Sequence, residues 1–480
     1  MARDTRSETI LSRAREAQRE WWSRGLRGRL RVIRRLRPQM ADAMDRLAAA
    51  VDRHKDRGPG ETLTAEVLPV LEACRYLQKR APGILRTRRP RRYALLSPFV
   101  GLQHEIHREP YGVVLIIAPS NYPFMLPAVQ ALHALVAGNA VVVKPGPGGE
   151  EACRIMGEML EQSGLPPELY HVTGEEPEHG KEMLGAGPDK VVFTGSLRVG
   201  RGILRDLGEE VTPATAELSG CDAVFVLEGA DLDLVVRALR FGLTLNNGAT
   251  CISPRRVFVT DAKADKLMER LREAAPNFPP CHVAEGPAGP ARKLIDEAVE
   301  QGASLVTPAL EPGERCVPTI VGDASADMRL LQEDIFAPVL SVVRVTDPQE
   351  ALEADERCPY ALGATIFGPN RDAREFARQV NAGAVVVNDM IAPTADPRMP
   401  FGGRKKSGYG VTRGAEGLLE MTRPKAIAFS RSRVKPHLAG SSELVEDVMR
   451  SYIRAAHSRG LRQRLRSAVE LARKLLTNLL

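Results

Sequence analysis

The sequence predicts an α/β protein built on parallel sheets, because short apolar runs of strand length alternate with amphipathic helical stretches along most of the chain. Two further observations support that class. Composition is ordinary for a globular protein, with 43% hydrophobic and 26% charged residues. The length of 480 residues suits two or three domains that bury a large core without staples.

Residues 8–56 read as two helices, with Leu, Ile and Ala recurring every three or four positions. GPGE at 58–61 breaks the pattern, and a third helix follows in LTAEVLPVLEACRYLQKR. Residues 92–109 have partial period-2 character and read as a β-hairpin. The alternation then begins. YGVVLIIAP (111–119) is a buried-type strand, PFMLPAVQALHALVAG a helix and NAVVVKPG a strand. EEACRIMGEMLEQSG is a helix, ELYHVTG a strand, DKVVFTGS a strand and LRVGRGILRDLG a helix. From about 222 the theme resumes with strands DAVFVLEG, SPRRVFVTD, ASLVTPAL, APVLSVVRVTD, ALGATIFGP and AGAVVVND, and helices such as ADLDLVVRALRFGLTLNN between them. The tail from Ser441 is helical and broken at Gly460, with Leu461, Leu465, Ala468, Ala472 and Leu475 on one face.

Seven scattered cysteines without a CxxC pair argue against a disulfide framework or zinc site and for a reducing, cytoplasmic setting. No secretory signal and no apolar run of membrane-spanning length is visible. The net charge of +7 is uneven: residues 1–60 carry +8 and 431–480 carry +7, which leaves −8 for the middle. The basic ends lack interleaved aromatics, so they read as solvated helix faces and no nucleic-acid partner is expected.

Neither G-x-G-x-x-G nor a Walker A occurs. The phosphate-cradle candidate is KVVFTGSLRVG, where Gly195-Ser196 separates a strand from a helix carrying Gly200. PGPGG at 145–149 reads as a flexible loop. Lys144 ends a buried-type strand and either points at the ligand crevice or is a solvated strand end. Glu217 is either an exposed turn residue or a buried base of raised pKa. Cys251 is one cysteine of seven, distinguished only by the Asn246-Asn247-Gly248 turn before it.

Taken together these segments resemble the aldehyde dehydrogenase superfamily over about residues 10 to 430. The matching motifs, in the family's order, are APSNYPF (118–124), GNAVVVKPG (138–146), FTGSLRVG (193–200), ELSG (217–220), NNGATC (246–251), EDIFAPVL (333–340) and PFGGRKKSGYG (400–410). The short N-terminus and the NYPF wording most resemble the class 3, fatty-aldehyde branch. The resemblance implies a Rossmann-like dinucleotide-binding domain (1–90 and 110–220), an α/β catalytic domain (221–421) and a β oligomerisation arm (91–109 and 422–432); beyond it, residues 433–480 read as a basic amphipathic helical tail. It implies Cys251 as nucleophile, Asn121 and the Cys251 N–H as oxyanion donors, and Glu217 as the base that activates water. It assigns NAD or NADP to Lys144, Gly195, Ser196, Gly200, Leu218, Asp334 and Phe336, with no metal.

Four departures from the family pattern stand out. Ala249 replaces a usual Gln, Pro147 a Glu that excludes a 2′-phosphate, and Asp334 the commoner Glu, with Ala337 for Gly beside it. Loss of the Glu makes NADP or dual use an expectation. The tail lacks the long apolar anchor of fatty aldehyde dehydrogenases, so the expectations for it are packing in a homodimer or a peripheral membrane contact. Against hydrolytic aldehyde oxidation stand a CoA-acylating dehydrogenase, a catalytically silent binding or scaffold protein, and a cofactor-free thiol esterase. Retention of Glu217, of Asn121 with Cys251, and of the Gly195-Ser196 turn with Lys144 opposes each in turn.

Overall fold

The computed structural model describes residues 5–53, 55–90, 102–430 and 443–479. Residues 92–101 of the hairpin expected at 92–109, and residues 431–442 of the arm and tail, therefore lie outside the described residues. The chain forms two compact units, one of Met1–Leu85 with Glu109–Arg423 and one of Arg86–Arg108 with Pro424–Leu480.

The larger unit holds two sheets of mainly parallel strands. The first contains β1 (Val113–Ile117), β2 (Ala140–Lys144), β3 (Tyr170–Val172), β4 (Lys190–Thr194) and β5 (Ala214–Glu217). The second contains β6 (Asp222–Val226), β7 (Pro254–Thr260), β8 (Ser304–Leu305), β9 (Thr319–Gly322), β10 (Val339–Val345), β11 (Gly363–Phe367) and β12 (Ala384–Val387). The short β13 (Gly408–Tyr409) returns to the first sheet, whose order is β13-β5-β4-β1-β2-β3; the second runs β8-β9-β10-β7-β6-β11-β12. Only β13 on β5 and β8 on β9 pair antiparallel in these sheets. The α/β class is that expected, and the chain crosses between the two sheets from Glu217 to Asp222.

Burial explains why the strands read as apolar runs. Val224 and Val226 of β6 pack into one cluster while Ala223 and Phe225 pack into another, so both faces of the sheet are covered. The helix Met125–Ala137 is buried at every position and so has no polar face. Its last carbonyls are satisfied from the N-terminal helices: Trp21 Nε1 donates to Leu135 O at 2.8 Å, Arg29 Nε to Val136 O at 2.9 Å and Gln18 Nε2 to Gly138 O at 2.8 Å. One basic residue of that segment thus serves the core and not a solvated face.

Local readings needed three corrections. The segment 8–56 is three helices, Thr5–Ser23, Gly25–Asp42 and Met44–Asp52. ASLVTPAL is reduced to the two-residue edge strand β8, and its partner β9 lacked a periodic signal of its own. The loop at 145–149 is packed, since a Cβ on Gly146 would lie 2.1 Å from Pro119 O, and Glu175 accepts from Gly148 N and Glu150 N at 2.9 and 2.8 Å.

In the smaller unit, Thr422–Ser430 pairs with Leu102–Pro110 in a two-stranded sheet, and the helices Glu443–His457 and Leu461–Leu479 pack on each other. Ser451, Ala455, Ser467 and Leu471 are buried, and Lys474 Nζ donates to Ser451 Oγ at 3.0 Å between the two helices. Leu461 and Leu465 of the expected face, with Val469 beside them, are 73%, 60% and 70% exposed, so these side chains are not covered by the helix pair.

Candidate active site

The C-terminal ends of β1, β2, β4 and β5 open on one cleft of about 550 Å³, as the parallel-sheet rule anticipates. Asn121, Lys144, Gly195, Ser196, Glu217, Leu218, Cys251, Asp334 and Phe336 all line it. Residues spread from 121 to 336 are thus brought together. Gly200 is the exception. It is not among the cleft-lining residues, and a Cβ there would lie 2.6 Å from Leu218 Cδ2, so glycine lets this helix pack closely against Leu218.

The thiol is presented by backbone geometry. After the helix Leu232–Thr244 the chain turns through Asn246 (φ 53, ψ 38), Asn247 (φ 54, ψ 32) and Gly248 (φ +76). Three successive left-handed residues account for the Asn-Asn-Gly composition. Cys251 is free and half-buried, and among the described residues its N–H has no acceptor. Burial and the charges of Glu217 and Asp222 hold its thiol well above the ordinary range, with Arg413 opposing.

Asn121 is buried with its Oδ1 accepting from Tyr122 N at 3.0 Å, which leaves the amide NH2 as the free donor. Two bonds lock its loop to the thiol turn: Asn246 Nδ2 donates to Asn121 O at 2.9 Å, and Tyr122 Oη meets Thr250 Oγ1 at 2.6 Å. Beneath them lies a fully buried ion pair, Arg57 with Glu66. Glu66 Oε2 accepts from Phe124 N and Met125 N at 3.2 and 2.6 Å, and Arg57 also donates to Asn246 Oδ1 at 3.3 Å. These contacts tie the Asn121 loop, the start of the helix Met125–Ala137 and the thiol turn to one buried pair, whose loss on one side would leave a buried charge uncompensated. Sequence reasoning missed Arg57 and Glu66, because nothing local distinguishes them from exposed helix charges.

Glu217 is 3% exposed, and neither carboxylate oxygen has a hydrogen-bond partner among the described residues. It is held between β4 and β13 by pairing with Thr194 and Gly408. A Cβ on Gly408 (φ +105) would sit 1.9 Å from Ala216 O, so this position admits only glycine. Burial raises the Glu217 pKa to about 7, with Arg413 opposing. Arg413 was also missed. It is buried, donates through Nη1 to Thr394 O at 2.7 Å and lies 4.5 Å over the Phe401 ring.

The residues of the far side fit a dinucleotide. Lys144 is buried without a carboxylate in ion-pair range among the described residues. Ser196 caps the helix Leu197–Glu209, accepting from Val199 N at 3.4 Å, and its first turn opens on the cleft. Asp334 is raised to about 6 by burial, against a hydrogen bond from Ser219 and the charge of Arg255.

The chain matches the aldehyde dehydrogenase family model over residues 1–427. It is 32% identical over 440 residues to a 4,4'-diapolycopene aldehyde oxidase of Methylomonas sp, covering 88% of this chain and 82% of that one. It is 29% identical over 417 residues to rat aldehyde dehydrogenase family 3 member A2, covering 85% of each, in keeping with the class 3 resemblance. A Mycobacterium tuberculosis aldehyde dehydrogenase structure complexed with NAD+ superposes with a TM-score of 0.81 at 25% identity, over 88% of this chain and 90% of that one.

Proposed function

The chain belongs to the aldehyde dehydrogenase family, and from that premise we propose that it oxidises an aldehyde to the carboxylic acid by covalent catalysis at Cys251, with Glu217 as the base for hydrolysis. The observation that carries this reading is the Glu217 carboxylate, buried and, among the described residues, without a partner, on the same cleft as Cys251 and Asn121. An unpaired buried carboxyl is costly and persists where its proton affinity is used.

The thiolate of Cys251 adds to the aldehyde carbon, giving a thiohemiacetal whose oxygen is held by the Asn121 amide and the Cys251 N–H. When bound, NAD(P)+ accepts the hydride from that carbon. A thioester on Cys251 remains. Glu217, with a pKa of about 7, takes a proton from water as the water attacks, and returns the thiol when the acid leaves. Lys144 and the Gly195-Ser196 turn bind the cofactor in this reading. Pro147 removes the carboxylate that would repel a 2′-phosphate, and Glu175 is occupied by backbone amides, so both cofactors are accepted.

The test is cofactor reduction by purified protein with a panel of aldehydes, with NAD+ or NADP+, with and without CoA. Turnover to free acid without CoA is expected. Turnover that requires CoA would assign the acyl acceptor differently, and no turnover with any aldehyde would reject the reading.

The smaller unit has its own proposals. The strand Thr422–Ser430 exposes eight of its nine side chains, Ile427 and Phe429 among them, and is proposed to pair two copies of the chain. The outward stripe Leu461, Leu465 and Val469 lies beside Arg462, Arg466 and Arg473 on the same helix, a pattern suited to an anionic bilayer surface. Co-sedimentation with vesicles containing phosphatidylglycerol, lost in Leu465→Glu/Val469→Glu and absent with phosphatidylcholine alone, is the expected result. A dimer in light scattering that the same double substitution splits would assign the stripe to a second copy instead.

A further inference from the structure

Two adjacent arginines follow Pro254 at the start of β7, and successive strand side chains point to opposite faces. Arg256 donates through Nε and Nη2 to Cys221 O at 2.9 and 2.6 Å and pairs with Asp355 at 2.8 Å. Arg255 has no such partner. It is 4% exposed, and among the described residues no carboxylate lies in ion-pair range of it. Its guanidinium instead donates to two backbone carbonyls, Nη2 to Gly248 O at 2.6 Å and Nη1 to Ala337 O.

Those two carbonyls belong to the two segments that must be held in register. Gly248 is in the left-handed turn that presents Cys251. Ala337 follows Phe336, in the segment that puts Asp334 and Phe336 on the cleft. The segments also touch directly: a Cβ on Gly248 would lie 2.5 Å from Pro338 N. A buried cation without a paired anion is expensive to keep, and a rigid fork between two carbonyls does what no apolar side chain can. We propose that Arg255 is a positioning residue that fixes the thiol turn against the Asp334–Phe336 segment, and so sets the distance over which hydride leaves the thiol-bound substrate. This rests on the function proposed above.

Misplacement by about 1 Å costs on the order of 100-fold in such a transfer. Arg255→Met and Arg255→Lys are compared with the parent in three measurements: cofactor reduction under single turnover, cofactor-free hydrolysis of 4-nitrophenyl acetate at Cys251, and the rise in melting temperature on adding NAD+ or NADP+. In Arg255→Met the ratio of hydride transfer to ester hydrolysis is expected to fall at least about tenfold, with a raised cofactor KM and a smaller thermal rise. Arg255→Lys, which keeps a cation able to reach one carbonyl, is expected to recover part of the ratio. Equal losses in both reactions, or no loss in either, would overturn the inference, because a merely structural arginine does not move the ratio. If Arg255→Met does not fold, the same ratio is read from Arg255→Lys. Failure of the parent to reduce cofactor would count against the proposed function, and the thermal rise would still judge the clamp.

Discussion

Cys251→Ala is expected to abolish aldehyde oxidation, with kcat lowered on the order of 10⁴-fold or more, while the melting temperature stays close to that of the parent. The side chain is half-buried and free, so its loss opens little space. Without the thiol no thiohemiacetal forms, and the Asn121 amide has no oxyanion to hold. The check is absorbance of reduced cofactor under single turnover, with intact-mass measurement of the acylated parent. The other six cysteines are an internal control, since five are buried or lie away from the cleft-lining set and Cys316 is half-buried elsewhere. Hydride transfer surviving at within about tenfold of the parent would sink the covalent route.

The second large effect is at Glu217. In Glu217→Gln the first turnover of cofactor reduction is expected to persist, and the steady rate to fall by about 10²- to 10⁴-fold as the thioester accumulates. Rapid-mixing absorbance separates burst from steady rate, and hydroxylamine should release the trapped acyl group. A burst lost in step with the steady rate would remove Glu217 from the hydrolysis step. In the parent, the steady rate should rise with pH through about 7, the pKa to which burial raises this carboxyl, and the glutamine variant should lose that rise.

The same carboxyl links stability to pH. Its folded pKa of about 7 lies above the ordinary value of 4.5, so the folded chain holds a proton that the unfolded chain releases. The favourable contribution is present below pH 4.5 and is lost as pH rises through about 7. Glu217→Gln is therefore expected to stabilise the protein at pH 8, by at most about 3 kcal/mol, and to be neutral near pH 4. Urea unfolding at the two pH values reads the difference. Equal stability of variant and parent at pH 8 would mean the carboxyl is not held in a low-dielectric site.

The site was legible in part because its chemistry sits at strand ends. Lys144, Thr194-Gly195 and the Glu217 position each close a short run, and a ligand crevice at the carboxyl ends of parallel strands follows from that topology. Asn246 and Asn247 were legible as a turn, since Asn and Gly accept the left-handed region. What escaped was whatever depends on a partner distant in the chain. β5 has only four residues and is a strand because β4 and β13 flank it. Glu66 belongs to a helical stretch whose charges are mostly exposed, yet it caps a helix that starts at Met125.

The sequence by itself determined the α/β class, the family and the residue types available for thiol chemistry, because periodicity and motif spacing are local properties of the chain. Only the tertiary structure decided which charges lose their water. Among the described residues Glu217 is left without a donor and Arg255 is satisfied by carbonyls and not by an acid, and Gly200 packs its helix against Leu218. The outward stripe of Leu461, Leu465 and Val469 was decided in the same way, by which face Ser467 and Leu471 took into the helix pair. Desolvation and pairing energies are set by neighbours in space, often more than 100 residues away in sequence, and no window along the chain contains them.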